Sequence, residues 1–251
     1  MKDVSIVDLL QAGAHYGHKS SRWNPKMKPY IYGHRNNIHI FDLEKTREKL
    51  KDAVQFATGI VSKGGNVLFV GTKKQAKQAV REAAESCGMP YVTERWLGGT
   101  FTNFRTVQRS MKKYEKLKAL QDSPEIEAYT KKEKLLMKRE MDKLQRLFSG
   151  MEGTKGLPEA IFVFSAHEDR IAINEARRMK IPVIAIVDTN TDPVGVDYVV
   201  PGNDDSVQAI SLYARILADA ISDAKKAMPA IVPQAAPTPR QKSAPKAPAQ
   251  A

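Results

Sequence analysis

Short apolar segments that alternate with amphipathic helical segments constrain the fold of this chain more than any other feature of its sequence. The run NVLFVG at residues 66–71 ends in a glycine and leads into KKQAKQAVREAAESCG. Apolar residues recur at helical spacing in that second segment, and Gly88 stands where a helix C-cap is expected. Continuous apolar strands that alternate with such helices form parallel sheets covered on both faces. The pattern therefore predicts an α/β fold.

The same alternation continues in the C-terminal half of the chain. It predicts strands over 160–164, 182–187 and 198–200 and helices over 168–180 and 206–226. The turn after the first strand, Val70 to Lys74, has one glycine and lacks the G-x-G-x-x-G spacing of a dinucleotide site. We interpret it as a tight turn with a capping residue, Thr72. Neither G-x-S-x-G nor H-E-x-x-H occurs, so no catalytic motif is evident.

Residues 105–150 interrupt this rhythm with two long helical patterns. Apolar residues fall at 107, 111, 114 and 117 and again at 137, 141, 144 and 148, which gives each helix one narrow apolar seam. Pro124 lies between the two patterns, and Thr130 with Glu133 matches a capping box that begins the second helix. The segment therefore predicts a helical hairpin with basic outer faces, inserted into the α/β domain.

The charge of the chain is large and unevenly distributed. The net charge is +12, and residues 105–150 alone carry 13 basic and 7 acidic side chains. Residues 151–224 carry 6 basic and 12 acidic side chains, so this segment alone is acidic. This distribution indicates a protein whose basic surface binds a polyanion, while its acidic surface points away from that polyanion. We expect the acidic segment to face solvent or a protein partner.

Two segments combine basic, aromatic and glycine residues in the way expected of an RNA-binding surface. The first is GAHYGHKSSRWNPKMKPYIYGHR, residues 13–35, which we interpret as an irregular loop that RNA contacts or that Trp23 anchors to the domain. The second is ERWLGGTFTNFR, residues 94–105, which leads into the hairpin. The predicted RNA-binding residues are Lys19, Arg22, Trp23, Lys26, Lys28, Arg95, Thr102, Asn103, Arg105, Lys112, Lys113 and Lys116.

Several long motifs in these segments resemble one family. GAHYGHKSSRWNPKMKPYIYG, NIHIFDLEKT, VGTKKQA, RWLGGTFTNF, IPVIAIVDTNTDP and VDYVVPGNDD occur in the family order of the second small-subunit ribosomal protein, S-two, in its bacterial form. The resemblance covers about residues 3–224. One departure is visible, because Ser165 and Ala166 stand where the family usually has an aspartate.

The resemblance implies a three-layer α/β/α domain of flavodoxin-like kind with an inserted coiled-coil hairpin. We place the two parts of this domain at 1–104 and 151–226 and the hairpin at 105–150. The Ala- and Pro-rich composition of residues 227–251 predicts a disordered basic tail, which has no clear counterpart in the family. The resemblance also implies a non-catalytic cytoplasmic protein that needs no cofactor and binds small-subunit ribosomal RNA at the junction of head and body. Its other partners would be neighbouring small-subunit proteins, including the mRNA-binding protein S-one. The protein would bind no membrane and no small-molecule substrate.

An RNA-modifying α/β enzyme remains the alternative, because it would also be basic and contain a parallel sheet. Such an enzyme would need a glycine-rich cofactor loop and a convergent base or nucleophile. The single cysteine, Cys87, falls among alanine and serine and suits the core better than a nucleophile. A single cysteine also excludes an intrachain disulfide and a cysteine-based zinc finger. No apolar run is long enough to span a membrane.

Acidic residues at the ends of two predicted strands raise the hypothesis of a metal site. Asp188 follows one strand, and Asp204 and Asp205 follow the next, so they should share one edge of a parallel sheet. His18 would join them if the N-terminal segment folds over that edge. One imidazole and two or three carboxylates suit a structural Zn²⁺, with Mg²⁺ also open. The alternatives are a turn residue at 188, helix caps at 204 or 205, and an RNA contact at 18.

Overall fold

The structure is a computed structural model that describes residues 4–154 and 156–227. Its helices and strands, in chain order, are α1 Ile6–Gln11, β1 Tyr16–Lys19, β2 Ile31–Arg35, β3 Ile38–Phe41, α2 Leu43–Val61, β4 Val67–Val70, α3 Lys77–Cys87, β5 Tyr91–Val92, α4 Phe104–Gln121, α5 Lys131–Phe148, β6 Ala160–Val163, α6 Arg170–Arg178, β7 Val183–Val187, β8 Tyr198–Pro201 and α7 Val207–Ala227. The tail predicted at 227–251 lies, apart from the last residue of α7, outside the described residues.

Five parallel strands form the central sheet, in the spatial order β5-β4-β6-β7-β8. Strands β4 and β5 are the first two of this sheet along the chain. β5 lies at one edge beside β4, and β6, β7 and β8 follow in order on the other side of β4, which is the strand order of flavodoxin-like folds. Every residue of β4, β6 and β7 is buried, because helices cover both faces of the sheet. The predicted three-layer α/β/α fold is confirmed.

Two separate cores lie on the two faces of this sheet. Alternate residues of each strand point to opposite faces, so Phe69 belongs to one core while Leu68 belongs to the other. Helices α2, α3 and α7 cover the first face. Helix α6, the base of the hairpin and part of the N-terminal segment cover the second. Cys87 is buried in the first core, as predicted.

Local capping signals place the helix ends close to where the sequence predicts them. Gly88 ends α3 in the left-handed conformation, at a φ of 62°, which glycine adopts without steric cost. Thr130 accepts a hydrogen bond from the Glu133 backbone N–H, and the Glu133 side chain accepts one from the Thr130 N–H, which completes the capping box. Helices α4 and α5 pack against each other. Their description as a coiled coil stays a prediction.

The interpretation of residues 13–35 as an irregular loop is wrong in part. Strands β1 and β2 flank β3 in an antiparallel sheet of order β1-β3-β2. Asn36 and Asn37 turn the chain between β2 and β3 with positive φ angles of 51° and 59°. Two consecutive positive φ values define the tight hairpin turn that asparagine favours. The two consecutive asparagines are visible in the sequence, but the glycines and prolines around them favour the prediction of an irregular loop.

Among the described residues, no helix combines the length and the apolar character that crossing a bilayer requires.

Candidate nucleic-acid interface and acidic edge

The N-terminal segment is fixed to the edge of the central sheet where the parallel strands end. The His18 backbone N–H donates to Thr189 Oγ1 at 2.8 Å, and the Asn24 N–H donates to the Thr189 carbonyl at 2.7 Å. Gly17 permits this approach, because a Cβ there would lie only 2.6 Å from the Thr189 methyl group. The Asn203 side chain adds a hydrogen bond to the Gly13 carbonyl. The segment therefore folds over the edge, as the metal hypothesis requires.

Three of the four residues in the metal hypothesis meet at this edge. His18 Nδ1 lies 3.1 Å from Asp188 Oδ2, and His18 Nε2 lies 3.2 Å from Asp205 Oδ2. Asp188 is buried, and among the described residues its Oδ2 accepts no well-formed hydrogen bond, whereas Oδ1 accepts from Thr189. Close contact with Asp188 raises the pKa of His18, although burial of the ring works against this.

Asp204 lies beside this group but belongs to a different network. Its Oδ1 is 2.7 Å from Lys73 Nζ, and its Oδ2 accepts from the Ser165 hydroxyl at 2.6 Å. Lys73 also reaches Asp205 at 2.8 Å. Burial works against the charge of Lys73, but the two aspartates outweigh it and raise its pKa. The capping alternative for Asp204 and Asp205 is wrong, because Ser206 Oγ accepts from the Ala209 N–H in the first turn of α7.

Thr72 does not cap a helix, so that interpretation is wrong as well. Its hydroxyl donates to Asp169 Oδ1 at 2.7 Å and its N–H donates to Asp169 Oδ2 at 3.2 Å, while α3 begins five residues later without a side-chain cap. These bonds join the loop after β4 to the loop after β6. Doubly wound folds bind ligands between two such loops, at the point where the strand order reverses. Here the protein's own side chains bridge that crevice.

Burial raises the pKa of Asp169 to about 6, although the two hydrogen bonds from Thr72 oppose the shift. The folded protein therefore binds more protons than the unfolded chain between about pH 4 and 6. We expect the free energy of unfolding to fall by roughly 2–4 kcal/mol, on account of this group, as pH rises through that window. Urea denaturation across pH should show this fall in the parent protein and lose it in Asp169→Asn.

Asp219→Asn is the control for this pH prediction, because it removes an exposed carboxylate on α7, whereas the charge of Glu168 itself helps to raise the pKa of Asp169. Parallel pH curves for the parent protein and Asp169→Asn would contradict the prediction.

The second predicted RNA-binding segment, residues 94–105, is organised around a carboxylate that sequence reasoning missed. Glu175 of α6 is buried and accepts hydrogen bonds from three backbone N–H groups, the Trp96 ring and a hydroxyl. These bonds outweigh its burial and lower its pKa. No local motif marks Glu175, because its partners lie more than 70 residues earlier in the chain.

The predicted RNA-binding cations differ in whether they are free to meet a phosphate. Lys26 pairs with Asp192 at 2.8 Å, and Lys113 pairs with Glu140. The remaining seven are exposed and make no ion pair within the described part of the chain: Lys19, Arg22, Lys28, Arg95, Arg105, Lys112 and Lys116. Most of the predicted basic surface therefore lacks an internal counter-charge.

The uncharged members of the predicted set all make contacts within the protein, although Thr102 and Asn103 are exposed. Trp23 is half-buried, with its ring 4.9 Å from that of His39, so it anchors the segment. The Thr102 hydroxyl donates to Glu175, and Asn103 Oδ1 accepts from the Thr106 hydroxyl. Tyr32, on β2 of the N-terminal segment, is 81% exposed, which leaves its ring free to stack on a base.

A basic three-layer α/β protein with a helical hairpin and uncompensated cations along two segments belongs to the class that lies against nucleic acid. The family model of ribosomal protein S2 matches residues 9–224. The small ribosomal subunit protein uS2 of Dichelobacter nodosus is 49% identical over 227 residues, which cover 90% of this chain and 85% of the relative. That of Hahella chejuensis is 49% identical over 219 residues, which cover 87% of each.

The chain belongs to the ribosomal protein S2 family. The resemblance seen in the sequence motifs is thereby confirmed. The protein is a structural component of the small ribosomal subunit that acts in translation, and it associates with ribosomal RNA and with other ribosomal proteins. The predicted location, in the cytoplasm within the small subunit, follows from the same membership.

Proposed function

We propose that the protein binds small-subunit ribosomal RNA near the junction of head and body through its N-terminal segment, the loop 94–105 and the hairpin. The observation that carries this proposal is the set of seven exposed cations without an internal partner on those three segments. Phosphate contacts from such side chains supply affinity and position, with little reading of sequence. The family relatives are ribosomal proteins, which supports this role over the RNA-modifying enzyme.

Replacing Lys19, Arg22 and Lys28 together by glutamine tests the N-terminal part of this proposal. Each lost phosphate contact lowers the slope of log affinity against log salt by about 0.7–0.9, so we expect a slope smaller by about two to three. Lys26→Gln is the matched control, because Lys26 is already paired with Asp192 and should change the slope less. Filter binding to small-subunit ribosomal RNA over a range of salt measures both. An unchanged slope in the triple variant would remove this segment from the interface.

We also propose that the acidic segment, residues 151–224, docks the mRNA-binding ribosomal protein S-one. Its net negative charge disfavours contact with phosphate. A groove of about 700 Å³ lies where α7 of this segment meets α1 and α3, and Asp8, Glu82 and Asp219, one from each of these helices, are among its lining residues. A photo-crosslinking residue at Ser211, inside the groove, should capture S-one on assembled small subunits. Crosslinks to RNA alone would refute this proposal.

A structural metal ion is the third proposal, held by His18, Asp188 and Asp205. Their ligand atoms lie within 4.8 Å of one another, and the buried Asp188 Oδ2, which accepts no well-formed hydrogen bond from the part of the chain that the structure describes, fits a cation. One imidazole, two carboxylates and a water suit Zn²⁺, while carboxylates alone would suit Mg²⁺. Asp204 is excluded from the set because Lys73 and Ser165 occupy its oxygens. The ion would fix the N-terminal segment to the sheet.

Elemental analysis of the full chain, purified without chelator, should find close to one bound metal ion per molecule. His18→Ala and Asp188→Ala should lose it, and the parent protein should melt at a lower temperature after chelation. Asp192→Ala is the control, because this aspartate lies in the same loop and pairs with Lys26. Parent protein without stoichiometric metal would show that a charged His18 alone bridges the two carboxylates.

A further inference from the structure

Helix α4 carries a row of four cations along one face. Arg105, Arg109, Lys112 and Lys116 are all exposed. At about 100° per residue they fall within about 60° of one another around the helix axis, and the row is roughly 16 Å long. The first row thus presents a regular line of positive charge.

Helix α5 carries a second row of the same kind. Lys132, Arg139, Lys143 and Arg146 are exposed and also fall within about 60° of one another, over roughly 21 Å. Leu136 lies in this row and is 55% exposed. The second row is therefore longer than the first and contains one apolar side chain.

The two rows lie on opposite outer edges of the hairpin. Leu117 of α4 meets Met137 and Met141 of α5 around a small recess between the helices. These three residues lie about 110–170° around their helices from the centres of the rows. Each row therefore points away from the partner helix, and the two are separated by about 20 Å, the width of two helices side by side.

None of the eight cations makes an ion pair with any described residue. The nearby lysines that do pair, Lys113 with Glu140 and Lys118 with Glu152, lie off both rows. Like charges at three- and four-residue spacing destabilise an isolated helix. An anionic ligand along each row would remove that repulsion, and an RNA backbone offers the matching line of negative charge.

We propose that the hairpin is a wedge between two separate segments of ribosomal RNA, with the α4 row on one backbone and the α5 row on the other. This inference rests on the proposed RNA-binding function and adds how the hairpin is used. One backbone cannot follow both rows without passing around the hairpin tip, because the rows face in opposite directions. The exposed Leu136 among the cations of the α5 row would also suit an acidic protein with an apolar contact, so such a protein is the alternative ligand of this row.

Photo-crosslinking on assembled small subunits tests the two-sided contact. Ala119, on the α4 row, and Leu136, on the α5 row, are replaced singly by a photo-crosslinking residue in the full chain. Both positions are exposed and uncharged. We expect the two probes to mark two nucleotide stretches that do not overlap. The proposal is overturned if both mark the same stretch, or if the Leu136 probe marks only protein.

Salt dependence tests the same idea without assembly. Glutamine at all four positions of one row should lower the salt slope of binding to small-subunit ribosomal RNA by about three, and both rows together by about six. Lys113→Gln with Lys118→Gln is the control and should leave the slope close to that of the parent. Circular dichroism verifies that the helices are intact.

The outcomes also separate this inference from the function on which it rests. If the variant with both rows neutralised binds RNA with the same slope of log affinity against log salt as the parent, the wedge is overturned but the proposed RNA-binding function is not. Absence of RNA binding by the parent protein would overturn the proposed function itself.

Discussion

Glu175→Ala is expected to lower the free energy of unfolding by about 3–5 kcal/mol, because it leaves several buried donors without an acceptor. The donors are the Gly99, Phe101 and Thr102 N–H groups, at 2.7, 2.9 and 3.2 Å, together with the Trp96 indole N–H and the Thr102 hydroxyl. Beside these donors, the Trp96 ring packs edge-on against Phe101 at a centroid distance of 4.9 Å. Urea denaturation followed by tryptophan fluorescence measures the loss.

The loop should lose its order before the rest of the domain does. Amide hydrogen exchange at Gly99, Phe101 and Thr102 should accelerate in Glu175→Ala, and Glu175→Gln should fall between it and the parent because one oxygen still accepts. Asn174→Ala is the control, since this exposed neighbour on α6 should change stability by no more than about 0.5 kcal/mol. A loss below about 1 kcal/mol in Glu175→Ala would show that the carboxylate does not organise the loop.

Lys73→Met should be comparably destabilising, by about 3–5 kcal/mol, because it leaves Asp204 as a buried charge without its cation. The Asp204 side chain is 2% exposed, and burial with nearby Asp188 already raises its pKa. Only the Ser165 hydroxyl would remain as a partner for Asp204 among the contacts described above. Equilibrium unfolding in urea measures the effect.

A double-mutant cycle separates the unpaired charge from lost packing. Adding Asp204→Asn to Lys73→Met should recover most of the stability, because the buried charge is then absent. Lys74→Met, at the exposed neighbouring position, should stay within about 0.5 kcal/mol of the parent. If the double variant is as unstable as Lys73→Met alone, packing and not charge explains the loss.

Features that depend on a few consecutive residues could be predicted from the sequence. The strands β4, β6 and β7 are continuous apolar runs, and the capping box at Thr130 and the C-cap at Gly88 lie within one turn of the residues they serve. A buried strand and a helix cap are set by local periodicity and local hydrogen bonding. For the same reason, the seams of α4 and α5 were visible as repeats.

Some local features were present in the sequence and still missed. Asp42 is the N-cap of helix α2, and its side chain accepts a hydrogen bond from the Glu44 N–H. The Asn36–Asn37 turn is likewise local. Both lie beside the glycine- and proline-rich stretch that favoured an irregular interpretation.

The contacts at the edge of the sheet were decided by the tertiary structure alone. His18 meets Thr189 across 171 positions of the chain, and Lys73 meets Asp204 across 131. No sequence spacing encodes such a pair, because the parallel topology and the fold of the N-terminal segment bring the residues together. The sequence showed that acidic residues end two strands. Only the fold determined that the buried Asp204 pairs with Lys73 and the buried Asp188 with His18, while the half-exposed Asp205 contacts both cations, because a buried carboxylate needs the partner that the topology places beside it.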